Sequence, residues 1–345
     1  MKLILSNWRC IDNLEIDLSK INVFLGKNST GKSSIGYAMY LASKVSSSEE
    51  NPNKIANLLL GDNLENLVRI YNNKKAFPLE IYLENEARNL RIKVGSDQKP
   101  IVEKNGSLWS EEYLLVSGRY GLIISYQILS NILSYAQKDA PQLISIIYGF
   151  ADLFFKEIHL TAPAQILIND IIKSIGIPIP IFSKKISGLG KYEIVPWVQV
   201  LAQVFKFYDM FNENIKLNAN AAPSGLVDRS IIEHIINNAK KGSLIVIEEP
   251  EEHQNPTSQI DLINSIISKA KEQELTLVIT THSEICVLAL IKAIREKILN
   301  SKDLSMYYLE RDEKHPWTRC KKIEISEDGT IDPIPDSIEV TVHLF

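Results

Sequence analysis

Three short apolar runs open the chain: Leu3-Ile4-Leu5, then Leu14, Ile16 and Leu18 at alternate positions, then Val23-Phe24-Leu25. The alternation of the second predicts a strand with one wet face, and the unbroken third predicts a parallel strand buried on both. After Gly26 the period changes. Ile35, Ala38, Met39 and Ala42 fall at i, i+3, i+4 and i+7, one face of a helix beginning near Ser33. Lys44 to Lys54, rich in Ser, Glu and Asn, reads as a surface loop.

Further along, Leu79-Glu80-Ile81-Tyr82-Leu83 and Leu90-Arg91-Ile92-Lys93-Val94 alternate apolar with polar, and Lys104-Asn105-Gly106 marks a turn. Leu79 to Leu115 therefore reads as an antiparallel sheet with one face in water. Helical spacing dominates from Tyr126 to Ile175 and is closed by Gly176, Pro178 and Pro180, a helical insertion of modest length. In the last third Leu244 to Ile247 and Leu275 to Ile279 read as buried strands. Between them Pro256 to Lys271 has helical spacing, with Asn255 as N-cap. A strand, helix and strand in that order form a right-handed crossover, so the two strands should be parallel. Met306 to Leu309 and Lys321 to Ser326 read as closing strands. The organisation expected is residues 1–125, an insertion over 126–185, and 186–345.

Composition adds limits. With 345 residues, 45% hydrophobic and 23% charged, the chain is long enough for a large core and is neither disordered nor fibrous. A net charge of −4 excludes a protein that coats nucleic acid through uniform basicity, although a regional basic patch remains open. Lysines at 184–185, 240–241 and 321–322 read first as solvated faces. Cys10, Cys286 and Cys320 lack the spacing of a zinc site or disulfide framework and read as buried thiols in a reducing compartment. No signal-like or membrane-spanning run is seen, which points to a cytoplasmic protein.

Gly26-Lys27-Asn28-Ser29-Thr30-Gly31-Lys32-Ser33 fits G-x-x-x-x-G-K-[ST], between a buried strand and an amphipathic helix. Backbone N–H groups over Gly26, Asn28, Ser29, Thr30, Gly31 and the following Ser33 and Ser34 would cradle phosphate oxygens. Lys32 would reach the β- and γ-phosphates, and the Ser33 hydroxyl would reach Mg²⁺. Glu248-Glu249-Pro250 sits at the carboxyl end of the strand through Ile247, where open α/β sheets hold ligands. Glu248 is assigned to Mg²⁺, and Glu249 to the water that attacks the γ-phosphate. A charged strand exit is the plainer alternative. His282, in Thr280-Thr281-His282-Ser283, ends the next strand and could contact the γ-phosphate, whereas a lone histidine is more often structural. Arg119, between Gly118 and Gly121, fits a phosphate contact or a buried ion pair equally well.

Leu3 to Arg9, the loop Gly26 to Ser34, Glu248-Glu249-Pro250-Glu251 and Thr281-His282-Ser283 together resemble an SMC-like ABC-type ATPase, most similar to the RecF- and OLD-related ATP-binding proteins. The resemblance implies a single α/β P-loop ATPase head over 1–345, with a mostly parallel core sheet, an antiparallel N-terminal sheet and a short helical insertion. It implies ATP and Mg²⁺ as cofactors, and a homodimer or higher homo-oligomer in which ATP is sandwiched between two heads. In that arrangement a Ser-Gly loop opening a helix of one head meets the γ-phosphate of the other. Ser187-Gly188 is the candidate, followed by a helical stripe at Ile194, Val198, Leu201 and Phe205, although Leu189 stands where the commoner pattern has glycine.

No glutamine loop is found; Gln98 is the only glutamine before Gln127, and its surroundings give no match. The long coiled-coil arms of SMC proteins and the Toprim nuclease of OLD proteins are not seen either. What the resemblance implies is an ATPase whose head pairing controls a separately encoded effector in DNA maintenance or genome defence. DNA is a candidate ligand and a membrane is not. The nucleotide-binding subunit of an ABC transporter is the alternative.

Overall fold

The computed structural model describes residues 1–121, 182–186, 188–194 and 205–333. The chain forms two compact units, Met1–Leu115 with Ala239–Glu251 and Asn255–Phe345, and Val116–Asn238 with Glu252–Gln254.

The first unit opens with β1 (Lys2–Trp8), β2 (Ile11–Asp17) and β3 (Ile21–Gly26), followed by α1 (Lys32–Ser47) and α2 (Pro52–Leu60). The expected loop at 44–54 is therefore mostly helix. Asn51 caps α2 by accepting from Asn53 N at 2.9 Å, Pro52 occupies its first turn, and Gly61 closes it in the left-handed region at φ +74°. A ribbon of β4 (Ile70–Tyr71) and β5 (Lys74–Lys75) precedes β6 (Leu79–Glu84), β7 (Asn89–Val94) and β8 (Pro100–Lys104). Strands β2-β1-β6-β7-β8 form one antiparallel sheet. Its register places Leu79 opposite Val94, Ile81 opposite Ile92 and Leu83 opposite Leu90, so all six pack on one buried face. The run at Leu115 departs from expectation. Strand β9 (Glu112–Leu115) leaves the antiparallel sheet, and its four residues are all buried, the signature of a strand covered on both faces.

In the second unit β10 (Phe182–Ile186), β11 (Gly190–Ile194), β12 (Phe205–Tyr208) and β13 (Lys216–Leu217) form an antiparallel meander, and α3 spans Ser224–Asn238. Of the expected helical insertion, 126–181 lies outside the described residues and 182–185 is strand. The helix expected after Lys191 is strand at its two described ends, and Tyr192 is buried between the partly exposed Lys191 and Glu193, a period of two. Of its predicted stripe, Ile194 ends β11 and Phe205 begins β12, while Val198 and Leu201 lie outside the described residues. Helix α3 buries charge as well as apolar surface. Glu233 accepts from Tyr192 Oη at 2.5 Å, Lys184 Nζ at 2.7 Å and Arg229 Nε at 2.9 Å. Arg119, fully buried, donates to both Asp228 oxygens at 2.9 Å and to Val116 O at 2.7 Å. The structural ion pair is thus the reading that holds for Arg119.

The core sheet of the first unit adds β14 (Leu244–Glu248), β15 (Thr276–Thr281), β16 (Leu304–Glu310), β17 (Arg319–Ile325) and β18 (Ile331–Asp332), with α4 (Pro256–Glu272) and α5 (Glu284–Arg295). Strand order is β18-β17-β16-β3-β15-β14-β9. The five strands from β16 to β9 are parallel, and β17 and β18 return antiparallel. The parallel pairing of β14 with β15 across α4 is the predicted crossover. Gly36 lets α1 lie close on this sheet, since a Cβ there would stand 2.8 Å from Val246 Cγ1. Cys286 is buried, whereas Cys10 and Cys320 are only half-buried, which corrects the expectation for those two. No helix among the described residues is long and apolar enough to cross a membrane.

Candidate nucleotide-binding site

The loop between β3 and α1 has the backbone that its glycines predict. Gly26 lies at φ +142° against the Leu309 carbonyl, and Gly31 at φ +105°, positions a side chain would strain or fill. Ser29 is also left-handed, at φ +62°. Lys32 Nζ donates to the carbonyls of Gly26 at 2.7 Å and Lys27 at 2.9 Å, and Thr30 Oγ1 donates to Lys27 O at 2.8 Å. Burial pulls the Lys32 ammonium down to about 8, against the opposing pull of Glu249, Glu251 and Glu248. The loop is also tied down from the end of the chain. Arg311 Nη1 donates to Ser29 O at 2.7 Å, and Thr318 Oγ1 to Thr30 O at 2.9 Å. Trp8, fully buried, anchors the start of α1 by donating from Nε1 to Ser34 O at 2.7 Å.

Glu248 ends β14 and is buried; its Oε2 accepts from Tyr37 Oη at 3.0 Å. Tyr37 lies one helical turn beyond Ser33, so the turn that presents the serine hydroxyl also holds the carboxylate. Burial and the adjoining carboxylate push the Tyr37 phenol up, keeping it a donor. Glu249 adopts the left-handed region at φ +45°, and its N–H donates to Thr280 O at 2.8 Å. That turn directs its side chain to His282, whose Nε2 lies 3.0 Å from Glu249 Oε1. Sequence reasoning named Glu248, Glu249 and His282 but had no signal for Tyr37.

One cavity of about 710 Å³ is lined by Asn28, Lys32, Ser33, Glu249 and His282, and also by Arg9 and Trp317. Its size suits a nucleotide. Arg69 lies with its Cζ 4.5 Å from the Trp317 ring centroid, held by Asp12 at 2.6 Å and Asn7 at 3.0 Å. Tyr71 meets the same ring edge-on at 6.1 Å. Trp317 and Arg69 escaped the sequence reading because nothing in either neighbourhood refers to the other.

The helix start expected at the Ser-Gly candidate is not found at its described residue. Ser187 lies outside the described residues. Gly188 is exposed at φ +74° in the connection where Ile186 pairs with Gly190 between antiparallel strands, not at the start of a helix. A Ser-Gly pair does open a helix elsewhere: Ser224-Gly225 begins α3, after Pro223. Any Cβ at Gly225 would collide with the His253 carbonyl. Gln98 occupies a left-handed position at φ +62° between β7 and β8, and Gln127 lies outside the described residues.

Residues 1–105 match the family model described as AAA ATPase domain. The fold is mixed α/β, with a mostly parallel core sheet beside an antiparallel one. Among solved structures, the SMC head domain from Thermotoga maritima is 10% identical, with a TM-score of 0.46, over 94% of this chain and 98% of that one. A structure of the recombination mediator protein RecF is 11% identical, with a TM-score of 0.41, over 92% and 97% respectively. No curated protein matches the chain.

Proposed function

We propose that this protein binds Mg-ATP in the cavity beside Lys32 and hydrolyses it. The observation that carries this reading is the convergence of Lys32, Ser33, Glu249 and His282 on one cavity, with Glu248 held behind them by Tyr37. The Ser33 hydroxyl and Glu248 carboxylate are hard oxygen donors of the kind Mg²⁺ takes. Among the described residues no group of three or more acidic, histidine or cysteine side chains could hold a metal ion. Mg²⁺ there would neutralise charge on the β- and γ-phosphates. The protein's own part follows from its residues. Lys32 exchanges the carbonyls of Gly26 and Lys27 for phosphate oxygens, the loop amides orient the triphosphate, and Glu249 accepts a proton from the attacking water. Trp317, stiffened by Arg69, offers an aromatic surface to the base.

In this proposal ATP also joins two copies of the chain, as the motif resemblance implies. Ser224 and Gly225 take the part first sought at Ser187 and Gly188, because they open a helix, where free N–H groups attract phosphate. Head pairing then controls a separately encoded effector in DNA maintenance or genome defence. Phosphate release with Mg-ATP, compared between wild type and Lys32→Ala, tests the enzymatic half. Equal release from both would overturn it. Solution mass of Glu249→Gln with and without Mg-ATP tests the pairing half, for which a doubling is expected.

A further inference from the structure

The third acid of the Glu248-Glu249-Pro250-Glu251 run does not face solvent as an ordinary charged strand exit would. Its carboxylate crosses to the end of the neighbouring strand. Glu251 Oε1 accepts from Thr281 Oγ1 at 2.7 Å, from His282 N at 2.8 Å and from Ser283 N at 3.2 Å. Three donors on one oxygen leave the His282 backbone little freedom. Ser283 is the N-cap of α5, accepting from Cys286 N at 3.2 Å, so the Glu251 charge also lies at the positive end of that helix. Between the two loops run two ties. Glu249 N donates to Thr280 O on one side of Pro250, and Glu251 reaches Thr281 to Ser283 on the other. Pro250 fixes the backbone angle between them.

We infer that Glu251 is a positioning residue that fixes the loop carrying His282, so that the histidine ring meets Glu249. It touches neither cavity nor nucleotide in this assignment, which rests on the ATPase reading above only for its effect on turnover. The acceptor oxygen makes the ties to Thr281, His282 and Ser283, and the negative charge adds only its attraction to the start of α5. Glutamine keeps the oxygen, alanine keeps neither, and aspartate keeps the charge but withdraws it by one methylene.

Two measurements test this. The first uses no hydrolysis: the His282 ring resonances, with histidine-selective labelling of the full chain, are compared with and without Glu249→Gln. A clear response to Glu249→Gln is expected in the otherwise wild-type protein and in Glu251→Gln, and its loss in Glu251→Ala and Glu251→Asp. A response retained in both of the latter, or absent in the wild type, would overturn the inference. Because Glu251→Asp retains a carboxylate at α5, it carries the test even if Glu251→Ala folds poorly. The second is a cycle in turnover. Glu251→Ala should lower kcat by about tenfold or more with KM for ATP within about threefold, and by less than about twofold in a His282→Ala background. Equal losses in both backgrounds would show that Glu251 acts by another route. If the wild type turns over no ATP, the ATPase reading fails while the resonance comparison still decides this one.

Discussion

His282 Nε2 lies 3.0 Å from Glu249 Oε1, and each residue stands one position past the end of its own strand. The pair therefore inherits its spacing from the parallel register of β14 and β15, in which Glu248 is opposite Thr280. Glu249→Gln keeps the side chain's size and removes its capacity to take a proton. Hydrolysis should fall by about 10²-fold or more while ATP stays bound. Single-turnover kinetics with nucleotide retention on a filter would check this, and unimpaired turnover would move the base elsewhere.

Lys32 supplies a pH dependence whose sign can be worked out. In the ligand-free site burial lowers its pKa from 10.5 to about 8, and a bound triphosphate would favour the charged form again. Below pH 8 the ammonium is charged before and after binding, so affinity should be flat with respect to this group. Between about 8 and 10.5 binding must take up a proton, and affinity should fall by up to about tenfold per pH unit. Titration calorimetry in buffers of different ionisation enthalpy would detect that proton. Lys32→Ala should bind weakly at every pH.

Ser224→Ala removes a hydroxyl at the start of α3 and leaves the Gly225 packing intact. In a Glu249→Gln background it should abolish the ATP-linked doubling of mass seen by light scattering. Gly188→Asn, which tolerates the left-handed backbone, should leave that doubling unchanged. The reverse pattern would return the assignment to the β10–β11 connection.

Trp317→Ala should weaken ATP binding by roughly 5- to 150-fold, corresponding to about 1–3 kcal/mol of base stacking. Trp317→Phe should restore most of it. Fluorescence of Trp317 itself, quenched on nucleotide addition, is the direct readout, with an undisturbed spectrum counting against the base surface.

His234 gives unit two its own acid sensitivity. It is fully buried, and burial lowers its pKa from 6.5 to about 4. Between those values the unfolded chain binds a proton that the folded one does not, so stability falls as pH drops from 6.5 towards 4. His234→Gln should flatten that part of the urea-unfolding profile, and an unchanged slope would assign the loss to other groups.

The site was legible in the sequence where function needs contiguous residues. In the proposed site Gly26 to Ser33 must be one loop because its amides would converge on one anion, and Glu248-Glu249 must follow a strand because the strand aims them. The core strands were legible for a similar reason: an uninterrupted run such as Val23-Phe24-Leu25 has few alternatives. Residues that meet only through tertiary structure were not. Trp317 reaches Arg69 from the far end of the chain, and Tyr37 reaches Glu248 across a helix–sheet contact. At Lys191 to Glu193 a spacing of four apolar positions outweighed the alternation that the backbone follows. Glu251 was hidden by its neighbours, since four acids within five residues read as a wet surface.

The placement of β3 bears on how the protein is made. Both of its sheet neighbours, β15 and β16, begin only at Thr276 and Leu304, and the groups that brace its loop, Arg311 and Thr318, come later still. A ribosome releases the phosphate-binding loop among the first residues and the parts that complete it among the last. Throughout that interval Val23, Phe24 and Leu25 form an apolar strand with two bare edges, open to mispairing with other nascent chains. A polypeptide that stops before residue 276 carries the glycine loop but neither of the strands that flank β3. At β3 the order of synthesis and the order of the sheet therefore run against each other.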